Sequence, residues 1–492
     1  MKLRLFILAA AVSVLPLAVS PSAVGARAAL SLNPAVGPPT TITKVKGSGY
    51  AAREVVALFF DGGRVGSTLS GPTGKFNSSL VMPAAARPGE HAVEAVGVSS
   101  GVESRARFLV RTDWLQGCFE AGRSCFNPYE NVIGPGNAGA LALAWRAHPT
   151  ADGTSSPVYA NGRLFVGTAH GLAVLDPATG AIIINFRTGP VSTTPAVIRG
   201  FDPQPDPPGK VIFGSTDGML QAVSTDGTPL WQVGLGHAPA SPLVIQGAED
   251  PVGQVVVGAG NVLYAFDGNG NRQWATVLEG GDISKAAALL VEPDTKMVTA
   301  AAGNTLYALD AANGQIIWAN TPSVRRLGAP AIGDPNQVPN PNVLVGDQGG
   351  NLYSLDPRTG QVKASFTGQG PITGSPAIGD PTLSDPWVMF GDGGGNIYAA
   401  DQTDDFPPPI WQAALGGPVD GPPVLANGVV YVATDPEDGT DPHLFALDQA
   451  SGRVLFDSVL PGGVAGGPIV ADGKVIVATR SSDVVGYETP DT

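Results

Sequence analysis

The sequence has little of what metal and redox sites are usually built from. Two cysteines, five histidines and five methionines in 492 residues leave scant material for thiolate or imidazole ligation. Charged residues are only 14% of the chain, against about a quarter in an ordinary soluble domain. Basic residues are outnumbered, 28 Lys and Arg against 42 Asp and Glu, and the acids are spread along the chain. Nucleic-acid binding needs a basic stripe, so that partner class is excluded. Beyond the amino terminus, no apolar run approaches the ~20 residues of a membrane span.

What is plentiful is glycine and proline, 66 and 45 residues. They follow no Gly-x-y period, and 43% of the chain is hydrophobic, in regular Val, Ile and Leu runs. That combination predicts a folded, all-β protein rich in tight turns.

Residues 1–28 read as a secretory signal peptide: a basic MKLR start, an apolar stretch from Leu5 to Val19, and a cleavage site near Ala26-Arg27-Ala28. An uncleaved anchor is the rival, but the run is short and holds Pro16. The first cysteine is Cys118, so none lies near the cleavage site for lipidation. A secreted protein, extracellular or periplasmic, is expected.

Residues 29–111 alternate in short runs, among them Val55 to Phe60, Lys75 to Met82 and Glu90 to Val96. Turn chemistry such as Asp61-Gly62-Gly63 and Pro88-Gly89 separates them. About seven short strands in roughly 80 residues is the pattern of a β-sandwich. The pieces GPPTTITKVKGSGY, VVALFFDGGRVGS, GKFNSSLVMP and RPGEHAVEAVG resemble bacterial immunoglobulin-like modules. The resemblance implies a spacer or adhesive unit; the inter-sheet disulfide of antibody domains has no counterpart here.

Residues 112–138 form a linker carrying both cysteines. In an exported protein Cys118 and Cys125 are expected to pair, and the short loop they enclose limits the stabilisation to about 2–3 kcal/mol. No CxxC spacing or electropositive setting points to redox work.

Residues 139–492 repeat one unit, clearest at LYALDAANGQIIW, Leu306 to Trp318. Its strand ends at Asp176, Ser224, Asp267, Asp310, Asp356, Asp401, Asp448 and Glu488. A second marker, the Pro of an S-P-A-I-like stretch, falls at Pro157, Pro195, Pro242, Pro330, Pro376, Pro422 and Pro468, and one copy has Lys285-Ala286-Ala287 instead. Both markers keep a period near 45, the length of four short strands, so eight copies predict an eight-bladed β-propeller. Small residues suit a crowded inner strand, and continuous apolar runs suit a second strand buried on both faces. Tryptophans such as Trp231, Trp274, Trp318 and Trp411 are expected to fill the rim where blades splay apart. The chain ends after the third strand of the last copy, and Leu141 to Trp145 is a spare outer strand expected to complete it.

The pattern A-x-D-x-x-x-G-x-x-x-W, complete at Ala308, Asp310, Gly314 and Trp318, resembles the tryptophan-docking repeat of quinoprotein propellers, the pyrroloquinoline quinone (PQQ)-like family. Ile184, Ala364 and Phe456 replace the tryptophan in other copies. The resemblance implies either a cofactor-dependent alcohol or sugar dehydrogenase or a non-enzymatic scaffold. The dehydrogenases hold their quinone with two adjacent cysteines, a stacking Trp, and Glu, Asn and Asp around calcium. No residue here matches that ring, so no catalytic or cofactor-binding residue is carried over. The expected function is a non-enzymatic scaffold or binding protein, monomeric, with a protein or glycan partner. A PQQ- and calcium-dependent oxidoreductase is the alternative.

Two acidic loops invite a calcium reading, Asp435 to Asp441 and Asp267 to Asn271. The second lacks the EF-hand glutamate, since Leu278 stands there, and coincides with the recurring turn. Topology places the interblade and second-to-third-strand loops on one face. The candidate binding residues on it are His170, His237, Asp282, Lys285, Arg325 and Arg326, with Asp217, Asp420 and the Asp435 loop. Proline-rich loops at Asp202 to Pro208 and Asn336 to Asn342 are expected on the other.

Overall fold

A computed structural model describes residues 28–150, 153–200, 207–247, 250–291, 296–332, 342–379, 387–401, 408–436 and 439–490. The expected signal peptide, but for Ala28, lies outside them, as do most of the two proline-rich loops and Glu437 and Asp438 of the acidic insertion. The chain divides into two compact units. The first holds Lys44–Leu80, Ala92–Arg107 and the described residues up to Leu32; the second holds Asn33–Thr43, Val81–His91 and Phe108 onward.

The amino-terminal strands make one three-stranded and one five-stranded sheet. Alternation is visible in Ile42–Ser48, where every second residue is buried. Val45, Val56, Phe76, Val93 and Ala95 are buried, and Tyr50 packs on Phe76 with ring centroids 5.4 Å apart. The Glu54 carboxylate accepts hydrogen bonds from Ala51, Ser99 and Ser100, which ties two turns together.

From residue 142 onward, the described strands form eight sheets built on four antiparallel strands each. Their inner strands are Val158–Ala160, Ala196–Ile198, Leu243–Ile245, Ala288–Val291, Ala331–Ile332, Ala377–Ile378, Val424–Ala426 and Ile469–Ala471. Apart from Val291, every residue of these strands is buried. Second strands such as Arg163–Thr168 and Gln254–Ala259 are buried along their length after the first residue, because both faces meet neighbouring sheets. Outer strands such as Ile182–Arg187 and Val362–Thr367 alternate between exposed and half-buried positions.

The repeat motif is a docking device. In Asp310-Ala-Ala-Asn-Gly314 the Asp310 carboxylate accepts from the backbone N–H of Ala312 and Asn313, and Gly314 takes φ +72°. The register slips by one residue between Ala308 and Leu309, the bulge that such a turn produces. The Trp274 ring of the preceding sheet lies over Gly314, and its indole N–H donates to the Ala311 carbonyl at 2.9 Å. The same contact recurs from Trp231 to Gly270, Trp318 to Gly360 and Trp411 to Gly452, each indole bonding a carbonyl of the following turn. Where Ile184 replaces the Trp, it and Phe186 cover Gly227 instead.

The last sheet closes as the spare strand suggests. Ala142–Ala147 pairs antiparallel with Val484–Glu488, next to Lys474–Ala478 and Ile469–Ala471. Trp145 then docks on Gly180 of the first sheet and donates to Pro177. Arg146 forks onto the buried Asp483 carboxylate at 2.7 and 2.8 Å, which holds that carboxyl below its usual range.

Candidate functional site

An inner strand at the axis leaves one edge without a sheet partner, and its N–H groups need acceptors. Residues 114–127 supply them. Trp114 exchanges two backbone bonds with Tyr159 of the first sheet, and the Leu115 carbonyl accepts from Val197 of the second. The Gln116 side chain bonds both backbone groups of Val244 in the third. The carbonyls of Ala121, Gly122, Ser124 and Cys125 accept from Leu289, Ile332, Ile378 and Leu425 in the next four, at 2.7–2.9 Å. Asn127 donates to Val470 in the eighth. One short segment therefore touches all eight inner strands in order. Gly122 is required for this approach, since a Cβ there would lie 2.6 Å from the Ile332 carbonyl oxygen. A disulfide joins Cys118 to Cys125 across the loop.

The bonded residues sit partway along their strands, whereas the residues just before those strands line a cavity of about 490 Å³. The segment is thus the floor of a well that opens on the face where the inner strands begin. Trp114, Gly117, Cys118 and Arg123 form that floor. Ser156, Ser192, Thr194, Ser241, Ser284, Thr373 and Ser375 ring the wall with hydroxyls.

The Arg123 guanidinium donates from Nε to Ser375 at 3.2 Å, and one terminal nitrogen lies 3.9 Å from the Cys118 sulfur. Burial pulls it down to about 10, against the opposing pull of the Glu120 carboxylate. Glu120 is itself engaged by the backbone N–H of Gly122 and Ser124. Lys285 is lowered by burial first and by the Arg123 charge second, with Asp420 acting the other way. Near the mouth, Arg480 pairs with Asp435.

Of the candidate residues read from the sequence, Lys285 lines the well. His170, His237, Asp282, Arg325 and Arg326 are exposed on loops outside it. Arg326 reaches back to the Asp282 carbonyl, at 3.2 Å. Asp420 and Asp435 also line the cavity, and Asp217 binds Ser215. The Asp267 loop is a closed turn whose carboxylate accepts from Asn269 and from both the backbone and side chain of Asn271. Arg123 escaped sequence reading because it lies in a stretch read as a linker; a lone arginine between two cysteines was the only signal.

Residues 138–292, 216–370, 259–405 and 393–491 match a family described as outer membrane protein assembly factor BamB. The chain belongs to this family. No curated protein matches it. Among solved structures it is similar to the quinohemoprotein alcohol dehydrogenase of Comamonas testosteroni, at 14% identity and TM-score 0.58 over 76% of this chain and 80% of that one. A europium-containing methanol dehydrogenase aligns at 17% identity and TM-score 0.57, over 75% and 89%. BamB from Moraxella catarrhalis aligns at 17% and TM-score 0.50, over 71% and 99%. At these identities the likeness shows the PQQ-like propeller fold and no more. Among the described residues no helix is long and apolar enough to cross a membrane.

The fold is thus shared by assembly factors and quinone enzymes, and the well of this family member tests which chemistry it suits. A flat polycyclic quinone needs a free face to stack on. Trp114 is 1% exposed and packs edge-on against Phe119, centroids 5.1 Å apart at 72°. The wall carries hydroxyls and glycines where a ring would need flat apolar surface. Among the described residues no three His, Cys, Asp or Glu converge as metal ligands would. The described residues of the well offer neither a free ring face nor a set of metal ligands of the kind the quinone and its calcium need.

Proposed function

We propose that the chain is an exported, non-enzymatic scaffold whose eight sheets are the blades of one propeller and whose partner is a protein. The observation that carries this reading is the segment 114–127, which fills the axis and leaves Trp114 with no open face. The family's description as an assembly factor supports a protein partner over a glycan. The amino-terminal sheets, read as an immunoglobulin-like module, serve in this proposal as a spacer that presents the propeller outside the cytoplasm.

The competing reading is a PQQ-dependent alcohol or sugar oxidoreductase, favoured by the dehydrogenases among its structural neighbours. Titration of the exported protein with PQQ and calcium, followed by dye-linked alcohol or glucose oxidation, separates the two. The scaffold reading expects no saturable tryptophan quenching and no turnover; saturable binding with turnover sinks it. Crosslinking in the native envelope, then reconstitution with the captured protein, tests the partner class. A glycan array that binds while no protein reconstitutes would replace protein with glycan.

A further inference from the structure

The overall charge of −14 makes the interior of the well an exception. Two cations line it, Arg123 on the floor and Lys285 on the wall; burial lowers the basicity of both, and the Arg123 charge lowers that of Lys285 further. Neither is matched in the usual way. Lys285 has no hydrogen-bond partner among the described residues, and Arg123 bonds one hydroxyl and one sulfur. Glu120, whose charge acts on Arg123, also accepts from the backbone N–H groups of Gly122 and Ser124. Two acids stand at the mouth against three cations in the lining: Asp435 is held by Arg480, and Asp420, whose charge acts on Lys285, is exposed.

Two like charges held close in a half-desolvated pocket cost free energy unless an opposite charge joins them. The hydroxyls around them are donors of the kind that complete an oxyanion's shell. Among the described residues those of Ser192, Ser284 and Thr373 engage no protein acceptor, and all three line the same cavity. A volume of about 490 Å³ falls in the range of small-ligand sites.

We propose that this well binds a small oxyanion, a carboxylate or phosphate group gripped between Arg123 and Lys285 and collared by the serine and threonine hydroxyls. The site goes beyond the scaffold reading, because it holds whether or not the partner is a protein. The floor arginine comes from the axial segment, so ligand binding and seating of that segment are coupled. A guanidinium fork suits a planar or tetrahedral oxyanion, and the lysine adds a mobile point charge.

Isothermal titration calorimetry of the full exported chain with sodium phosphate and with citrate, at fixed ionic strength in sodium chloride, tests this. Saturable one-to-one binding of at least one anion is expected. Lys285→Ala should weaken it at least tenfold without lowering the melting temperature, because Lys285 makes no hydrogen bond among the described residues and its removal relieves the like-charge contact with Arg123. Arg123→Lys should weaken it comparably; should that variant fail to fold, Lys285→Ala decides alone. Binding by phosphate only identifies a phosphate ligand, and binding by citrate only a carboxylate. No saturable heat from either anion, or equal affinity in Lys285→Ala, overturns the proposal.

Discussion

A Cβ built on Gly360 would lie 2.4 Å from the Trp318 ring, at a backbone φ of +70°. Side chain and left-handed backbone both oppose any larger residue, and an indole wedged between sheets cannot swing aside as a flexible chain does. Gly360→Ala should therefore cost about 2–3 kcal/mol, read as a lower urea midpoint with an unchanged slope. A different residue sets the pH response. The Asp472 carboxylate accepts from the Thr112 N–H at 2.7 Å and the Tyr159 hydroxyl at 3.0 Å. Burial, with Asp113 and Glu130 nearby, pushes it up to about 7; Arg111, which pairs with Asp113, is the cation of the group. Between about pH 4 and 7 the folded chain holds a proton that the unfolded chain has released, so stability falls as pH rises through that window and levels off above it. Asp472→Asn mimics the protonated form and, at this position's φ of +53°, tolerates left-handed backbone. Thermal melts from pH 4.5 to 8.5 should show the decline flattened in the variant; parallel curves would remove Asp472 as its source.

At the scale of elements, the blade unit was legible because its causes are local. The Asp-x-x-x-Gly turn, the bulge after it and the indole that covers the glycine all lie within some forty residues of chain. The axial segment was not legible, because its partners are carbonyl and N–H groups that every residue owns. Nothing in Ala121 or Ser124 as a residue type announces a bond to Leu289 or Ile378. Arg123 was missed with the segment that carries it, which reads as a linker, while Lys285 could be found because it stands on an interblade loop and breaks the inner-strand marker. The disulfide holds the two halves of this segment together, one reaching the first three sheets and the other the last five. Replacing Cys118 and Cys125 by serine should cost about 2–3 kcal/mol. Hydrogen exchange should accelerate at Leu289, Ile332, Ile378 and Leu425, whose N–H groups the segment caps, and not in the outer strands. Uniform acceleration would mean that the segment lines the axis without capping it.

On the scale of the whole ring, two structures oppose its opening. One is the axial segment, which bonds every sheet through a single contact or a pair. The other is the strand Ala142–Ala147, which joins the last sheet to the first through five pairings, the Arg146–Asp483 fork and the Trp145 ring. Their weights differ. A sheet-edge hydrogen bond contributes about 1 kcal/mol net, whereas loss of the closing strand uncovers Val484, Val485 and Tyr487, all now buried, and strands Asp483 without its cation. Burying a large side chain is worth about 1.5–3 kcal/mol, so the closing strand dominates at that point of the ring. Deleting residues 139–147 should lower the calorimetric midpoint sharply, by about 10 °C or more. Trp145→Ala should lose a smaller part, because the pairing and the fork survive it. If the deletion leaves the midpoint in place, the axial segment alone holds the ring shut. The ten hydrogen bonds from residues 114–127 to the eight inner strands would then outweigh the closing strand.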